Sequence, residues 1–218
     1  MIVRGTTRVR CPACGTETDC ALVQTIHTRD NPDDKARLLA GELNVLACAC
    51  GKRTPLGAHV LYSDPDRALF VQVCPGGEDA VAAGAAAFAA SGVTGTLRVV
   101  PSQNALVEKV KIADAGLADW AIEMMKVLVL SSAASPGSAG ARSDAQRRGG
   151  SIGELDRVLL FDSADGELIH WILFDEDFQA ERVSSARAGY DRLAVRAPPE
   201  GELRIDRAWA VAAVQRML

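Results

Sequence analysis

Two short stretches of the sequence carry paired thiols. RCPACGTE (Arg10–Glu17) holds Cys11 and Cys14, and LNVLACACGK (Leu43–Lys52) holds Cys48 and Cys50. Each pair is followed by a glycine, Gly15 or Gly51, and thirty-three residues separate Cys14 from Cys48. Zinc takes four ligands in a tetrahedron at zinc–sulfur distances of roughly 2.3 Å, so each tight turn must point two thiolates inward. A glycine after the pair accepts φ > 0 and lets a backbone amide face a metal-bound sulfur. Pro12 stiffens the first turn. The pattern predicts one zinc ion bound by Cys11, Cys14, Cys48 and Cys50.

The first pair has the usual Cys-x-x-Cys spacing, but the second is Cys-x-Cys and demands a different turn. Adaptation of that turn is expected, because thiolate pairs chelate and zinc imposes no geometry from its d-electrons. Otherwise Cys50 binds, Cys48 is a buried bystander, and Cys20, Cys74, His27 or His59 completes the shell. Cys20 (in TDCAL) and Cys74 (in VQVCPG) sit on apolar, strand-like stretches and read as buried thiols. His27 and His59 read as satisfied histidines, and His170, in LIHWILF, as a structural strand residue.

Carboxylates offer a second possible chemistry. Candidates are Asp64 and Asp66 in SDPDR, Glu108 and Asp114 in VEKVKIAD, and Asp162, Asp165, Asp175 and Asp177 around a later hairpin. Each reads first as a turn residue, cap or solvated charge. No GxSxG, GK[ST] phosphate loop, HExxH or GxGxxG occurs. A zinc deaminase would need an upstream His/Cys-x-Glu, which Cys11 lacks.

The elements that must hold these residues are legible in outline. TTRVR reads as a strand feeding the first knuckle, and ALVQTIHT as a strand after it. DNPDDKARLLAGELN predicts a short helix, with Pro32 in its first turn and Gly41 at its stop. VLAC, AHVLYS and ALFVQVC read as strands, with SDPD as a turn. EDAVAAGAAAFAASG reads as a helix and GTLRVVPS as a strand; two further helices follow, broken at Ala115–Leu117. Residues 131–151 shift to Ser, Gly, Ala and Arg, which predicts a flexible linker or loop. DRVLLFDSADGELIHWILFD predicts a hairpin around SADG, then a strand and two helices to the C-terminus. Trp171, Phe174 and Trp209 read as core residues.

Composition narrows the class. A chain of 218 residues with 48% hydrophobic and 24% charged residues fits one sizeable core or two small lobes. The longest apolar run, Ala80–Ala90, falls short of the ~20 residues of a membrane span. The N-terminal stretch lacks a signal-peptide h-region, which points to the cytoplasm, where cysteines serve more often as metal ligands than as disulfides. The net charge of −4 argues against nucleic acid as the partner. The fold class expected is α+β: a small zinc-ribbon-like β lobe joined to a mixed α/β lobe with antiparallel strands.

Cys11-Pro-Ala-Cys14-Gly15, Leu38–Asn44, Leu61–Asp64 and Glu108–Leu117 together resemble the bacterial CpXC domain proteins. That resemblance spans roughly residues 8–130 and implies a CpXC-like domain over 1–130, with 152–218 packed on it. It implies a zinc site and names no reaction. The chain departs at Ala47-Cys48-Ala49-Cys50-Gly51, where the family has a second Cys-Pro-x-Cys-Gly. Cys50 matches a ligand position directly, and Cys48 matches it through an adapted turn.

The reading favoured is a non-catalytic module, with a structural zinc ion and a surface for a protein partner or a second copy of itself. The alternatives are an enzyme with a non-cysteine site and a redox protein built on CPAC. The redox reading needs a helix after the motif, where GTETD is turn- and strand-like.

Overall fold

The computed structural model describes residues 3–133, 157–175 and 177–217, and six helices and four sheets lie among them. The chain forms two compact units, Met1–Val107 with Glu202–Arg204, and Glu108–Gly201 with Ile205–Leu218. The fold class is α+β, as the sequence predicts.

In the first unit, β1 (Arg4–Arg10) and β2 (Glu17–Val23) pair antiparallel from Arg4↔Val23 to Arg10↔Glu17. β3 (Thr25–His27) leads into α1 (Pro32–Leu39), which starts on Pro32 and carries Asp33 and Asp34 in its first turn, where the helix dipole favours them. Leu38 anchors the inner face, fully buried, and Arg4 of β1 reaches the α1 carboxylate Asp34 at 2.9 Å. β4 (Val45–Ala47) and β5 (Arg53–Pro55) form a second antiparallel ribbon.

β6 (Val60–Asp64) and β7 (Leu69–Val73) flank a single 3-10 turn at Pro65–Arg67, the SDPD turn of the sequence. α2 (Glu78–Ala89) then crosses to β8 (Thr96–Val100). These strands make one sheet in the order β3-β6-β7-β8. Its β6–β7 pair is antiparallel; β3–β6 and β7–β8 are parallel, which the local pattern did not reveal. A parallel pair needs a long crossover, which α2 supplies. Gly84 lets α2 lie close on the sheet: a Cβ there would fall 2.3 Å from Cys74 Sγ. Cys74 is thus a packed core thiol among Val81, Phe88 and Val99. Residues 202–204 join this unit because Val99 N–H donates to Leu203 O and Arg98 donates to Glu202 O.

In the second unit, α3 (Gln103–Asp114) contributes its residues from Glu108, and α4 (Asp119–Ala133) follows the Ala115–Leu117 break. Of the linker expected at 131–151, residues 131–133 close α4 and the rest lies outside the described residues. β9 (Val158–Ala164), β10 (Leu168–Phe174) and β11 (Ala180–Ala186) form an antiparallel sheet in the order β11-β10-β9, followed by α5 (Arg187–Ala194) and α6 (Arg207–Gln215). One sheet face buries Leu159, Phe161, Ile169 and Trp171 against apolar residues of α4, α5 and α6. Trp171 meets Phe161 edge-on at 6.2 Å, Trp120 lies in the same core, and Trp209 packs against it. Tyr190 of α5 accepts the Ala118 N–H at 2.9 Å, which closes the start of α4.

The EKVKIAD segment places charge inside this unit. Lys109 is 5% exposed and lies 3.0 Å from Asp119, 3.3 Å from Glu123 and 2.8 Å from the Ile205 carbonyl. Lys126 bridges Glu108 at 2.8 Å and Glu123 at 3.0 Å. Burial alone would push the Lys126 ammonium down, but Glu123 and Glu108 hold it above its usual range.

Candidate metal centre

The two knuckles fold by parallel hydrogen bonds that differ in span by one residue. In the first, Gly15 N–H donates to Cys11 O and Cys11 N–H donates to Thr16 O, both at 2.9 Å. In the second, Gly51 N–H donates to Cys48 O and Cys48 N–H to Lys52 O, again at 2.9 Å. The bond to the glycine therefore spans four residues in one knuckle and three in the other. The missing spacer shortens the turn without undoing it. Both glycines hold positive φ, 76° at Gly15 and 85° at Gly51, a region that side chains with a Cβ rarely enter.

The result is a compact group of four thiols whose Sγ atoms all lie within 4.8 Å of one another: Cys11, Cys14, Cys48 and Cys50. Cys11 and Cys50 are 3.7 Å apart, and Cys14 and Cys48 3.5 Å. A disulfide would need about 2.05 Å. A tetrahedron built on metal–sulfur bonds of roughly 2.3 Å has edges of about 3.8 Å, so the spacing fits four thiolates around one ion. The short contacts run between knuckles, as they must when two turns close on a common centre. Cys11 and Cys48 are buried with Cys20 and Leu46, while Cys14 and Cys50 are exposed.

Local electrostatics prepare the thiols unequally. Thr16, by its hydroxyl and then its amide, lowers Cys14 to about 6, with Cys48 and Cys50 adding to the effect. The Ala13 and then the Cys14 amides hold Cys11 below the usual thiol range. The Cys50 amide acts to lower Cys48. Crowding by the Cys14 and Cys50 thiols, then burial and Cys11, outweighs it and pushes Cys48 up to about 12. Four thiolates so close repel one another, and a divalent cation removes that penalty by binding all four.

Asn44 sets the two knuckles in register. Its Oδ1 accepts the Val23 N–H at 2.8 Å and its Nδ2 donates to Val23 O at 3.0 Å, while its own carbonyl accepts the Leu56 N–H at 2.8 Å. The side chain thus ties the start of β4 to the end of β2, and the main-chain carbonyl ties it to the residue after β5. Asn44 is 3% exposed and holds a φ of 52°. Asparagine tolerates that conformation better than most residues. The sequence showed it only as the end of LLAGELN; the bidentate clamp depends on tertiary approach.

A family profile described as CpXC protein matches residues 9–126, more than half of the chain. The chain belongs to the CpXC family. Its match covers all four clustered cysteines and Asn44, and ends at Lys126 of the buried charge network. No curated protein and no solved structure matches the chain.

The other candidates lie apart from this CpXC cysteine cluster. Among the described residues the cluster contains no histidine or carboxylate. Cys20 packs beside it, its Sγ 3.8 Å from Thr18 O, and Cys74 lies under α2. His27 faces Asp30 at 3.3 Å, and His59 is exposed. Asp64 is buried, accepts the Tyr62 hydroxyl at 3.3 Å and pairs with Arg67 at 3.3 Å. Asp66 pairs with Arg29, which lowers its carboxyl, and Glu108 and Asp162 pair with Lys126 and Lys111. Asp175 accepts the Asp177 and Gln179 amides, Asp177 lies in that exposed turn, and Asp114 is exposed at the end of α3. Asp165 and His170 lie apart from these, bonded to each other at 3.0 Å.

Proposed function

We propose that Cys11, Cys14, Cys48 and Cys50 hold one structural zinc ion, and that the CpXC unit built on it is an interaction module. The observation that carries this is the sulfur spacing of 3.5 and 3.7 Å across two independent turns, close to the edge of a zinc tetrahedron. A four-thiolate shell leaves no open coordination position, so the ion activates no water and acts by fixing structure. The ribbons β1–β2 and β4–β5 bury little apolar surface, and the metal replaces the core they lack. The same geometry speaks against a redox pair in CPAC: β2 follows the motif where a helix N-terminus would be needed to activate a thiolate, and the short sulfur contacts run between knuckles.

The surface so fixed serves a protein partner or a second copy of the chain, in the cytoplasm, and the net charge of −4 makes nucleic acid a poor partner. No helix among the described residues is long and apolar enough to cross a membrane. Metal analysis of the purified protein tests the zinc. The expected result is one equivalent per chain, lost in the Cys11→Ser/Cys14→Ser variant. Full retention of zinc in that variant would overturn the assignment.

A further inference from the structure

The β9–β11 sheet carries a hydrogen-bonded chain of three side chains outside the cysteine cluster. His170 of β10 and Ser184 of β11 are direct cross-strand partners, and His170 Nδ1 lies 2.9 Å from Ser184 Oγ. The other ring nitrogen, Nε2, lies 3.0 Å from Asp165 Oδ2 in the β9–β10 turn. The carboxylate only accepts, so Nε2 carries the proton of the neutral ring and Nδ1 is left to accept the serine hydroxyl. A hydroxyl, a base within reach of its proton and a carboxylate that orients the base are the parts of an activated nucleophile.

The surroundings hold this chain in place. Asp165 Oδ1 accepts the Leu168 N–H at 2.7 Å and the Glu167 N–H at 2.8 Å, and Arg187 donates to the Asp165 carbonyl at 2.8 Å. The two amides and then His170 lower the Asp165 carboxyl to about 2, so it is ionised at any working pH. Arg187 N–H donates to Glu167 O, which by alternation makes His170–Ser184 a non-hydrogen-bonded pair. Side chains of such pairs approach most closely. The β9–β10 register also shifts between His170 and Trp171. Bulges of this kind re-aim side chains and recur beside active sites.

Facing makes Ser184 reachable. Its neighbour Ser185 points to the core, where it accepts the Trp171 Nε1–H at 2.9 Å, whereas Ser184 is on the exposed face. Among the described residues β11 is an edge strand, and in a non-hydrogen-bonded pair the backbone N–H of Ser184 points away from β10. That amide lies next to the nucleophile, where an oxyanion would form. Arg182, exposed and two residues before Ser184, shares its face and favours an acidic group on the substrate.

We propose that Ser184, His170 and Asp165 form an acyl-transfer site for carboxylic esters on the outer face of this sheet. Ser184 Oγ bonds to the ester carbonyl carbon as its proton passes to His170 Nδ1. Collapse of the tetrahedral oxyanion breaks the bond to the leaving oxygen, which takes the proton from the imidazolium. Water then attacks the acyl-serine by the same route and restores the hydroxyl. Ser184 is the nucleophile and His170 the base, while Asp165 positions the ring.

A fluorophosphonate probe tests the nucleophile, because Ser184 Oγ would form the bond to phosphorus as fluoride leaves. The full chain is incubated with the probe, its intact mass followed in time and the adduct mapped by peptide sequencing. One adduct per chain on Ser184 is expected. Ser184→Ala should give none, and His170→Ala should slow labelling by about 100-fold or more. With p-nitrophenyl acetate, the wild type should show a burst of about one nitrophenolate per chain, absent in Ser184→Ala. An unlabelled wild-type chain, an adduct that persists in Ser184→Ala, or labelling of His170→Ala at the wild-type rate would overturn the proposal.

Discussion

The shortened knuckle makes a sharp prediction about single atoms. Both Cys48 and Cys50 stand within the sulfur group, and the turn has absorbed the missing spacer by drawing its hydrogen bonds in one residue. Cys48→Ser and Cys50→Ser, titrated against a competing chelator, should therefore lose zinc affinity to a similar extent. An unchanged affinity in Cys48→Ser beside a lost one in Cys50→Ser would mark Cys48 as a bystander. Thr16 gives a second residue-level test. Its hydroxyl lies 3.3 Å from Cys14 Sγ and donates to the sulfur once the thiol ionises. Thr16→Val should weaken zinc binding by about 10- to 100-fold, the usual cost of removing a group that orients a ligand, and should raise the pH at which zinc is released. No change in either would show the contact to be idle. The cysteines were legible because knuckle chemistry is written in adjacent residues. Ser184 was not, because His170 lies 14 positions away along the chain and meets it only through the strand register.

At the level of elements, two motifs of the sequence resolve into fastenings. LLAGELN ends in Asn44, whose amide binds both polar groups of Val23. Asn44→Ala should cost about 2–4 kcal/mol in chemical denaturation, since it strands a buried donor and a buried acceptor. Asn44→Gly accommodates the positive φ yet loses the same bonds. If the glycine variant is as stable as the wild type, the clamp contributes nothing. EKVKIAD delivers Lys109 to the carboxylates of α4. Lys109→Ala should cost about 3–5 kcal/mol, because Asp119 and Glu123 would lose the buried ammonium they share, with Lys126 left to offset Glu123. A loss below about 1 kcal/mol would mean that water reaches them after the change. Helices α1 and α2 and the β9–β10 hairpin were readable from local signals: Pro32, the alanine-rich run and SADG. The parallel pairings of β3 with β6 and β7 with β8 were not, since they depend on which strands meet, and β5 is only three residues long.

Over the whole molecule, the boundary between the units falls inside α3, between Val107 and Glu108, and no glycine, proline or change of composition marks it. Partition by core is visible only when the contacts are. It also distributes the chromophores unevenly. Trp120, Trp171 and Trp209, the chain's three tryptophans, all belong to the second unit, while the thiol cluster belongs to the first. Intrinsic fluorescence excited near the red edge of absorption is thus a native reporter of one unit, and the reactivity of the cysteine sulfurs towards a colorimetric disulfide reagent is a native reporter of the other. Stripping the metal with a chelator should open the cluster's thiols to the reagent and leave the emission maximum where it was. Cys14, exposed and lowered to about 6, should react first, and Cys48, buried and pushed up to about 12, should react slowly. A red shift on chelation would show that the tryptophan unit feels the metal, and the protein would have disclosed that coupling without a single engineered label.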